Sequence, residues 1–520
     1  MKISNEINSS RKARVLLSSI TGIIFALISM VLSFVLRTVF IKKIGIEYVG
    51  LYTFLTEIFG LLSAVDGGIC SSLFIKIHKP IATNDTEELR NTFSLIRIVY
   101  MIRSLAVLLI GVILFAFLPW LVHGVEIPID YIKYIYIVYL LINAASYLFI
   151  YYEFLLEAYQ KRYLTNTISF IVTVASTILN IACILLFQSF FVYILIVTLS
   201  QILTFYICKI IVKREHPELF VITKSNRPAL PQVKEMFSIT YYTLSSVVVK
   251  NTDNILVTKL LGFTVNGIYS SYKMLNSQIF SLVAKIKYAA QDSSRNFIAV
   301  SDDASSIKLI DNLSFLYFWI SGFCIIALSV LSTPFIWLWL GEPYILTILP
   351  VFLTALTLFI DTTCYPMDDA FYSTESYKYR KWVPIVEVII NLVVSIILGI
   401  KFGIAGIMIG TLCSQLYKTT RRAYILYNIR LKTSCLLYLK KITSYTVITI
   451  FAFLCTYYIA NALFSTVTIW NFIIRILLCI LIPNAIFYIV FRRHEEFKYT
   501  KNVLIEILKK VRKKNDSIDT

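Results

Sequence analysis

Charge is scarce in this sequence. Asp, Glu, Lys and Arg make up 15% of its 520 residues, where soluble domains carry about 25%. A water-facing surface cannot be built from so little, which excludes a soluble enzyme and a disordered chain. Catalytic signatures are missing as well. The nine cysteines contain no CxxC pair, the four histidines are scattered, and neither an HExxH nor a phosphate-binding P-loop occurs. The cysteines lie mostly in apolar runs and read as small packing residues rather than as a disulfide scaffold or a metal set. Strands of strictly alternating polarity, which an outer-membrane barrel would need, are also lacking.

What is abundant is apolar sequence, 58% of the chain. A helix crosses the hydrocarbon with about 20 residues, and fourteen runs of that kind can be read. They are Val15–Phe40, Val49–Phe74, Phe93–Pro119, Tyr131–Leu155, Tyr163–Phe187, Phe190–Ile211, Met236–Leu260, Gly267–Ala290, Leu313–Leu340, Ile345–Tyr365, Trp382–Ile400, Phe402–Thr420, Ile442–Phe464 and Ile469–Phe491. The basic stretch Met1 to Arg14 is followed by no cleavage pattern, so the first run is expected to remain as a span.

The net charge of +19 follows the topology. With the N-terminus inside, inner segments hold 38 Lys or Arg and outer segments 5, the remaining 6 of 49 lying within spans. That asymmetry is the positive-inside pattern, and it accounts for the basic excess without nucleic acid. Trp120, Trp337, Trp339 and Trp470 fall near outer span ends, as interfacial anchors do. Both termini are expected in the cytoplasm. The tail Asn502 to Lys514 spaces Val503, Leu504, Ile507, Leu508 and Val511 at helical intervals among lysines, consistent with a surface-lying helix or a solvated tail.

A repeat runs through the chain. Lys42-Lys43-Ile44-Gly45 followed by Gly50-Leu51-Tyr52 matches Lys259-Leu260-Leu261-Gly262 followed by Gly267-Ile268-Tyr269, at an offset of 217 residues. A weaker echo pairs Asn180-Ile181 with Asn391-Leu392. The copies lie six spans apart and so share one orientation, the parallel-repeat arrangement of some transporters. The expected fold is an all-α membrane protein of fourteen transmembrane helices. It comprises two parallel six-helix lobes, residues 1–212 and 236–424, joined by a cytoplasmic linker 213–235. Helices 13 and 14 follow within 425–491, then a basic tail 492–520.

A charge at the bilayer centre costs at least about 2.5–3.5 kcal/mol, so each one needs a reason. Arg37, Glu57, Asp66, Arg97, Arg103, Lys250, Asp253, Lys273, Asp361, Glu387 and Arg475 fall inside the runs. The offset maps Arg37 onto Asn254, beside Asp253, and Lys273 onto Thr56, beside Glu57. Spans 1, 2, 7 and 8 are therefore expected to line a crevice between the lobes. There Arg37, Lys250, Lys273 and Arg103 would hold an anionic substrate such as a diphosphate, and Glu57, Asp253 and Asp66 would gate the crevice or couple it to an ion. The plainer alternatives are that Lys250 and Asp253 neutralise each other on one helical face, that Arg97 snorkels, and that Arg475 pairs structurally. Seven tyrosines in span 4 could stack on sugars, or serve as packing and anchoring groups.

The stretch Phe34-Val35-Leu36-Arg37 through Lys43-Ile44-Gly45-Ile46-Glu47-Tyr48-Val49-Gly50-Leu51-Tyr52 resembles the first two spans of Wzx-type polysaccharide flippases. These belong to the multidrug/oligosaccharidyl-lipid/polysaccharide (MOP) exporter superfamily. His78-Lys79-Pro80-Ile81-Ala82, Asn251-Thr252-Asp253-Asn254 and Phe402-Gly403-Ile404-Ala405-Gly406-Ile407-Met408-Ile409-Gly410-Thr411 are similar to further family segments, while Asp66-Gly67-Gly68 departs from the pattern. The resemblance implies a bacterial inner-membrane carrier without cofactor or enzymatic activity. It would move an undecaprenyl-diphosphate-linked oligosaccharide to the outer leaflet by alternating access. Membrane lipids and H+ or Na+ are its expected partners, with contacts to polymerase and chain-length machinery. A lipid II flippase, a small-molecule antiporter of the same superfamily and a membrane glycan polymerase are the competing readings.

Overall fold

The computed structural model describes residues 24–25, 27–63, 69–122, 126–220, 237–379, 382–464, 466–502 and 505. Among these, regular structure is entirely helical. Asp66, the linker residues 221–236 and nearly all of the tail expected to lie on the surface fall outside the described residues. The chain forms two compact units, divided between Gly267 and Ile268.

In the first unit, α1 (27–43), α2 (Ile46–Ser63) and α3 (Ile69–Thr83) precede the long α4 (Thr86–Leu121). Asp85 caps α4, accepting from the backbone amides of Glu87 (3.1 Å) and Glu88 (2.9 Å), and those two acids sit where the helix dipole favours them. Next come α5 (Ile129–Ser146), the short α6 (Tyr151–Ala158), α7 (Arg162–Phe187) and α8 (Phe190–Glu215). Lys213 and Arg214 occupy the last turn of α8, again the side the dipole prefers. Helix α9 (Phe237–Val300) is broken at Gly262, and its first arm packs in this unit.

The second unit carries α9 beyond Gly267, then α10 (Asp303–Trp339), α11 (Ile348–Thr363) and α12 (Tyr365–Ser373), the last two bent by 45° at their junction. The hairpin α13 (Val383–Phe402) and α14 (Ile404–Ala423) follows, then a π-helical turn Tyr424–Arg430, α15 (Cys435–Leu463) and α16 (Ile469–Phe491). Its core is aromatic: Phe318 stacks on Tyr445 at 4.5 Å and packs beside Phe487 and Phe491, joining α10 to α15 and α16.

Among the described residues, eight helices are long and apolar enough to cross a membrane, or nine if the bent pair α11–α12 is one span. Their outward faces are apolar, as lipid requires: Leu186, Ile400 and Leu481 are exposed. Trp120 and Trp470 are 65% and 76% exposed at helix ends, where interfacial tryptophans belong.

The internal repeat has local structural counterparts. Gly45 and Gly262 both have positive φ (+120° and +88°) and both break a helix, a conformation that a Cβ would strain. Asp85 and Asp302, also 217 residues apart, are both helix N-caps. Left-handed residues recur at an offset of 215: Gln160 with Glu375, and Gln188 with Gly403, the latter pair turning the α7–α8 and α13–α14 hairpins.

The second glycines of the motif make reciprocal contacts within the first unit. A Cβ on Gly50 would lie 1.9 Å from the Phe263 carbonyl oxygen, and one on Gly267 would lie 2.1 Å from that of Ile46. Ile46 and Phe263 are themselves 217 residues apart, so the contact is symmetric. The Asn266 amide donates to the Gly50 carbonyl at 3.0 Å and closes the crossing. Because backbone meets backbone, neither side can yield by changing rotamer. Gly50→Ala and Gly267→Ala are each expected to destabilise by about 1–3 kcal/mol, the usual cost of overpacking. Thermal unfolding in detergent measures this, and unchanged midpoints in both variants would contradict the crossing.

Candidate functional site

Down from that crossing, α2 lies along the first arm of α9. Residues at helical spacing make the seam: Phe54 meets Phe263 edge-on at 5.8 Å, Glu57 accepts from the Asn254 side-chain amide, and Gly60 gives room to Asn251. Asn254 is 1% exposed and Asp253 7%, whereas Lys250 is exposed. Lys250 and Asp253, three residues apart, thus lie in different surroundings. At the far end of the arm, Lys259 donates to the Trp120 carbonyl and stands over the Trp120 ring at 4.3 Å.

Arg37 is half-buried in α1 and faces the phenols of Tyr52 and Tyr193. These two rings meet edge-to-face at 5.4 Å, and Phe40 packs on Tyr193 at 4.7 Å. The Thr56 hydroxyl, which donates to the Tyr52 carbonyl at 2.8 Å, is also within reach of the Tyr52 and Tyr139 phenols. Asn143 continues this polar chain from Tyr139. A guanidinium among phenols and a threonine hydroxyl offers donors to phosphate and to sugar hydroxyls alike. Arg37 is recognisable in sequence as a charge in an apolar run, whereas its hydroxyl neighbours are not. Their signal is one of spacing: Tyr52 and Thr56 are one helical turn apart.

Arg103 is held differently. Its Nη2 donates to the Ser63 carbonyl at 2.6 Å, at the end of α2, and its guanidinium lies over Tyr147 at 4.4 Å. Those bonds tie α2 to α4 and α5. Arg475 is buried and donates to Asn461 (2.9 Å) and the Phe464 carbonyl (2.8 Å), closing the α15–α16 connection.

Lys273, in the second unit, is half-buried and lies over the Tyr269 ring at 5.9 Å; the Tyr269 hydroxyl contacts the Met408 sulfur at 3.1 Å. Below it is a charge network that no motif announced. Lys418 pairs with Asp361 at 3.3 Å, and Gln415 donates to the same carboxylate at 3.0 Å. Arg422 pairs with Asp368 at 3.0 Å. Asp369 receives Arg295 at 2.6 Å and the Ser294 hydroxyl at 3.0 Å. Lys287 stands 3.9 Å from the Tyr365 ring centroid, and Glu387, 2% exposed, faces Lys418 and Arg422.

Local structure explains the convergence. Gln415, Lys418 and Arg422 follow at i, i+3 and i+7, one stripe of α14. The bend after Thr363 turns α12 so that Asp368 meets that stripe and Asp369 meets α9. The polar spacing on α14 could have been read from sequence; the bend could not.

A family model described as "polysaccharide biosynthesis protein" matches residues 16–290. Among solved structures, the fold is similar to that of the lipid II flippase MurJ in an inward closed conformation, with TM-score 0.59 and 16% identity over 91% of this chain and 99% of that one. It is also similar to an inward-facing multidrug resistance MATE transporter of the MOP superfamily, with TM-score 0.57 and 12% identity over 76% and 95% of the two chains. A Vibrio cholerae MATE transporter, VcmN, gives 0.56 and 17% over 81% and 98%. No curated protein matches the sequence.

Arg422 and Asp368 are both largely shielded, with side-chain exposures of 5% and 16%. Removing one partner strands the other charge, so Arg422→Met is expected to lower stability by about 3–5 kcal/mol, while Arg422→Met combined with Asp368→Leu recovers most of it. Equal losses in the single and double variants, read by thermal unfolding, would show that the pair is not the unit.

Proposed function

The chain belongs to the polysaccharide biosynthesis protein family, and from that premise we propose that it is a flippase. Its proposed cargo is an oligosaccharide carried on a polyprenyl (undecaprenyl) diphosphate, moved from the cytoplasmic to the outer leaflet of the bacterial plasma membrane. The family match carries the reading, and the MOP-type fold suits it.

The chemistry of the membrane helices is in keeping with such a cargo. A diphosphate is a dense anion that must leave water, and a guanidinium or ammonium in a low-dielectric setting attracts it strongly. Arg37, Lys250 and Lys273 are the proposed phosphate ligands. The phenols of Tyr52 and Tyr193 and the Thr56 hydroxyl supply neutral donors beside Arg37. The prenyl tail stays in lipid throughout, so only the head needs a polar route. Glu57 and Asp253 act in gating or ion coupling, with H+ or Na+ as the coupling ion; Glu57 exchanges its Asn254 partner as the carrier changes state. Arg103 would meet substrate only by giving up its Ser63 bond and is the weakest of the proposed ligands. Moving a net negative head outward is also favoured by an inside-negative potential, worth about 2.3 kcal/mol per charge per 100 mV.

The family name favours a polysaccharide precursor over lipid II or a cationic drug, and the proposed basic ligands are the wrong sign for cations. The test is export. An Arg37→Ala, Lys273→Ala double variant is expected to reach the membrane in normal amount yet lose surface glycan, with lipid-linked repeat units accumulating inside. Undiminished surface glycan in that variant would refute the site. Rescue of a strain depleted of its lipid II flippase would redirect the substrate.

A further inference from the structure

A cavity of about 500 Å³ opens in the second unit where α10, α15 and α16 end beside the π-helical turn. None of the proposed cargo ligands lines it. Its lining carries charges of both signs. Asp311 and Glu496 share the Lys441 ammonium, at 2.7 and 2.9 Å, with His494 also in the lining. Although burial works to raise it, the bond from Lys441 holds the Glu496 carboxyl below its ordinary value. Lys440 and the Thr433 and Ser444 hydroxyls also line the cavity, while Ser434 and Asn428 cap the first amides of α15 by accepting from Leu436 and Cys435. Tyr427, 3% exposed, forms part of the lining, and its hydroxyl has no hydrogen bond among the described residues. Leu437, which lines the cavity, and the adjacent Leu436 are 72% and 70% exposed.

We propose that this cavity binds the headgroup of a phospholipid bearing a primary amine, of the phosphatidylethanolamine class. Its phosphate sits against Lys440 and the Thr433 and Ser444 hydroxyls, its ammonium against Glu496 and Asp311, and its glycerol and acyl chains leave over Leu436 and Leu437. The ligand chemistry follows from the lining. A lining of both signs complements a zwitterion. A primary ammonium donates three hydrogen bonds to carboxylates, whereas a quaternary one donates none. An anionic headgroup without an amine offers those carboxylates no ammonium. The cavity packs helices that follow the repeat, so the bound lipid acts as a fixed structural ligand of α15 and α16.

Native mass spectrometry of the full chain tests this, with phosphatidylethanolamine, phosphatidylcholine and phosphatidylglycerol of identical acyl chains offered in equal amounts. Wild type is expected to retain the ethanolamine lipid at least threefold over either competitor. Glu496→Gln is expected to erase the preference over choline, and Ser444→Trp, a surface change that fills the cavity, to erase retention. Thermal unfolding and helical circular dichroism verify that both variants fold. If one fails to fold, the other decides, and Lys440→Gln, at an exposed position, replaces it with an expected loss of phosphate-dependent retention. Equal retention of all three lipids, stronger retention of choline on the aromatic lining, undiminished preference in the folded variants, or displacement by polyprenyl phosphate would overturn the assignment.

Discussion

Charge inside hydrocarbon is the constraint on which this structure turns. Each buried ion must be solvated by the protein. In the second unit the ions are answered by ions: the shielded Asp368 by Arg422, the more exposed Asp361 by Lys418, and the buried Asp369 by the part-exposed Arg295. Such pairs gain little net stability, since desolvation offsets attraction, but they fix which helices sit together. Arg103 and Arg475 are answered by backbone carbonyls at helix ends, which again fixes helices in place. Arg37 stands beside the phenols of Tyr52 and Tyr193, groups that can turn toward an incoming anion.

The repeat gives those ions their frame. The matched glycines at 45 and 262 set the same helix break, and those at 50 and 267 allow backbone to cross backbone reciprocally. A side chain at the crossing would separate α2 from the first arm of α9. The Glu57 contact to Asn254 would be lost with it. The smallest residues in the chain therefore position some of its most polar ones.

Much of this was legible in the sequence, and the parts that were not have physical reasons. Helical spans could be read because lipid demands long apolar runs, and the repeat because its glycines have no substitute at a left-handed break. The Asp85 and Asp302 caps carried the same 217-residue offset and went unread, because a lone aspartate before a helix is common. Arg37, Glu57, Asp253 and Lys273 stood out as charges in apolar runs. Whether a charge is held by a carbonyl, a phenol or a carboxylate depends on neighbours distant in sequence, so Arg103 and Arg37 looked alike. The network of Asp361, Asp368, Asp369, Lys418 and Arg422 depends on the 45° bend between α11 and α12, which composition does not encode.

The most direct measurement is leaflet exchange in sealed vesicles holding the purified chain and a polyprenyl-diphosphate oligosaccharide. An enzyme that cannot cross the bilayer trims whatever glycan it can reach. The account predicts that trimming goes beyond the outer-leaflet half toward completion, and does so faster for a diphosphate-linked glycan than for its monophosphate analogue. Trimming that halts at the half reached in protein-free vesicles would contradict it.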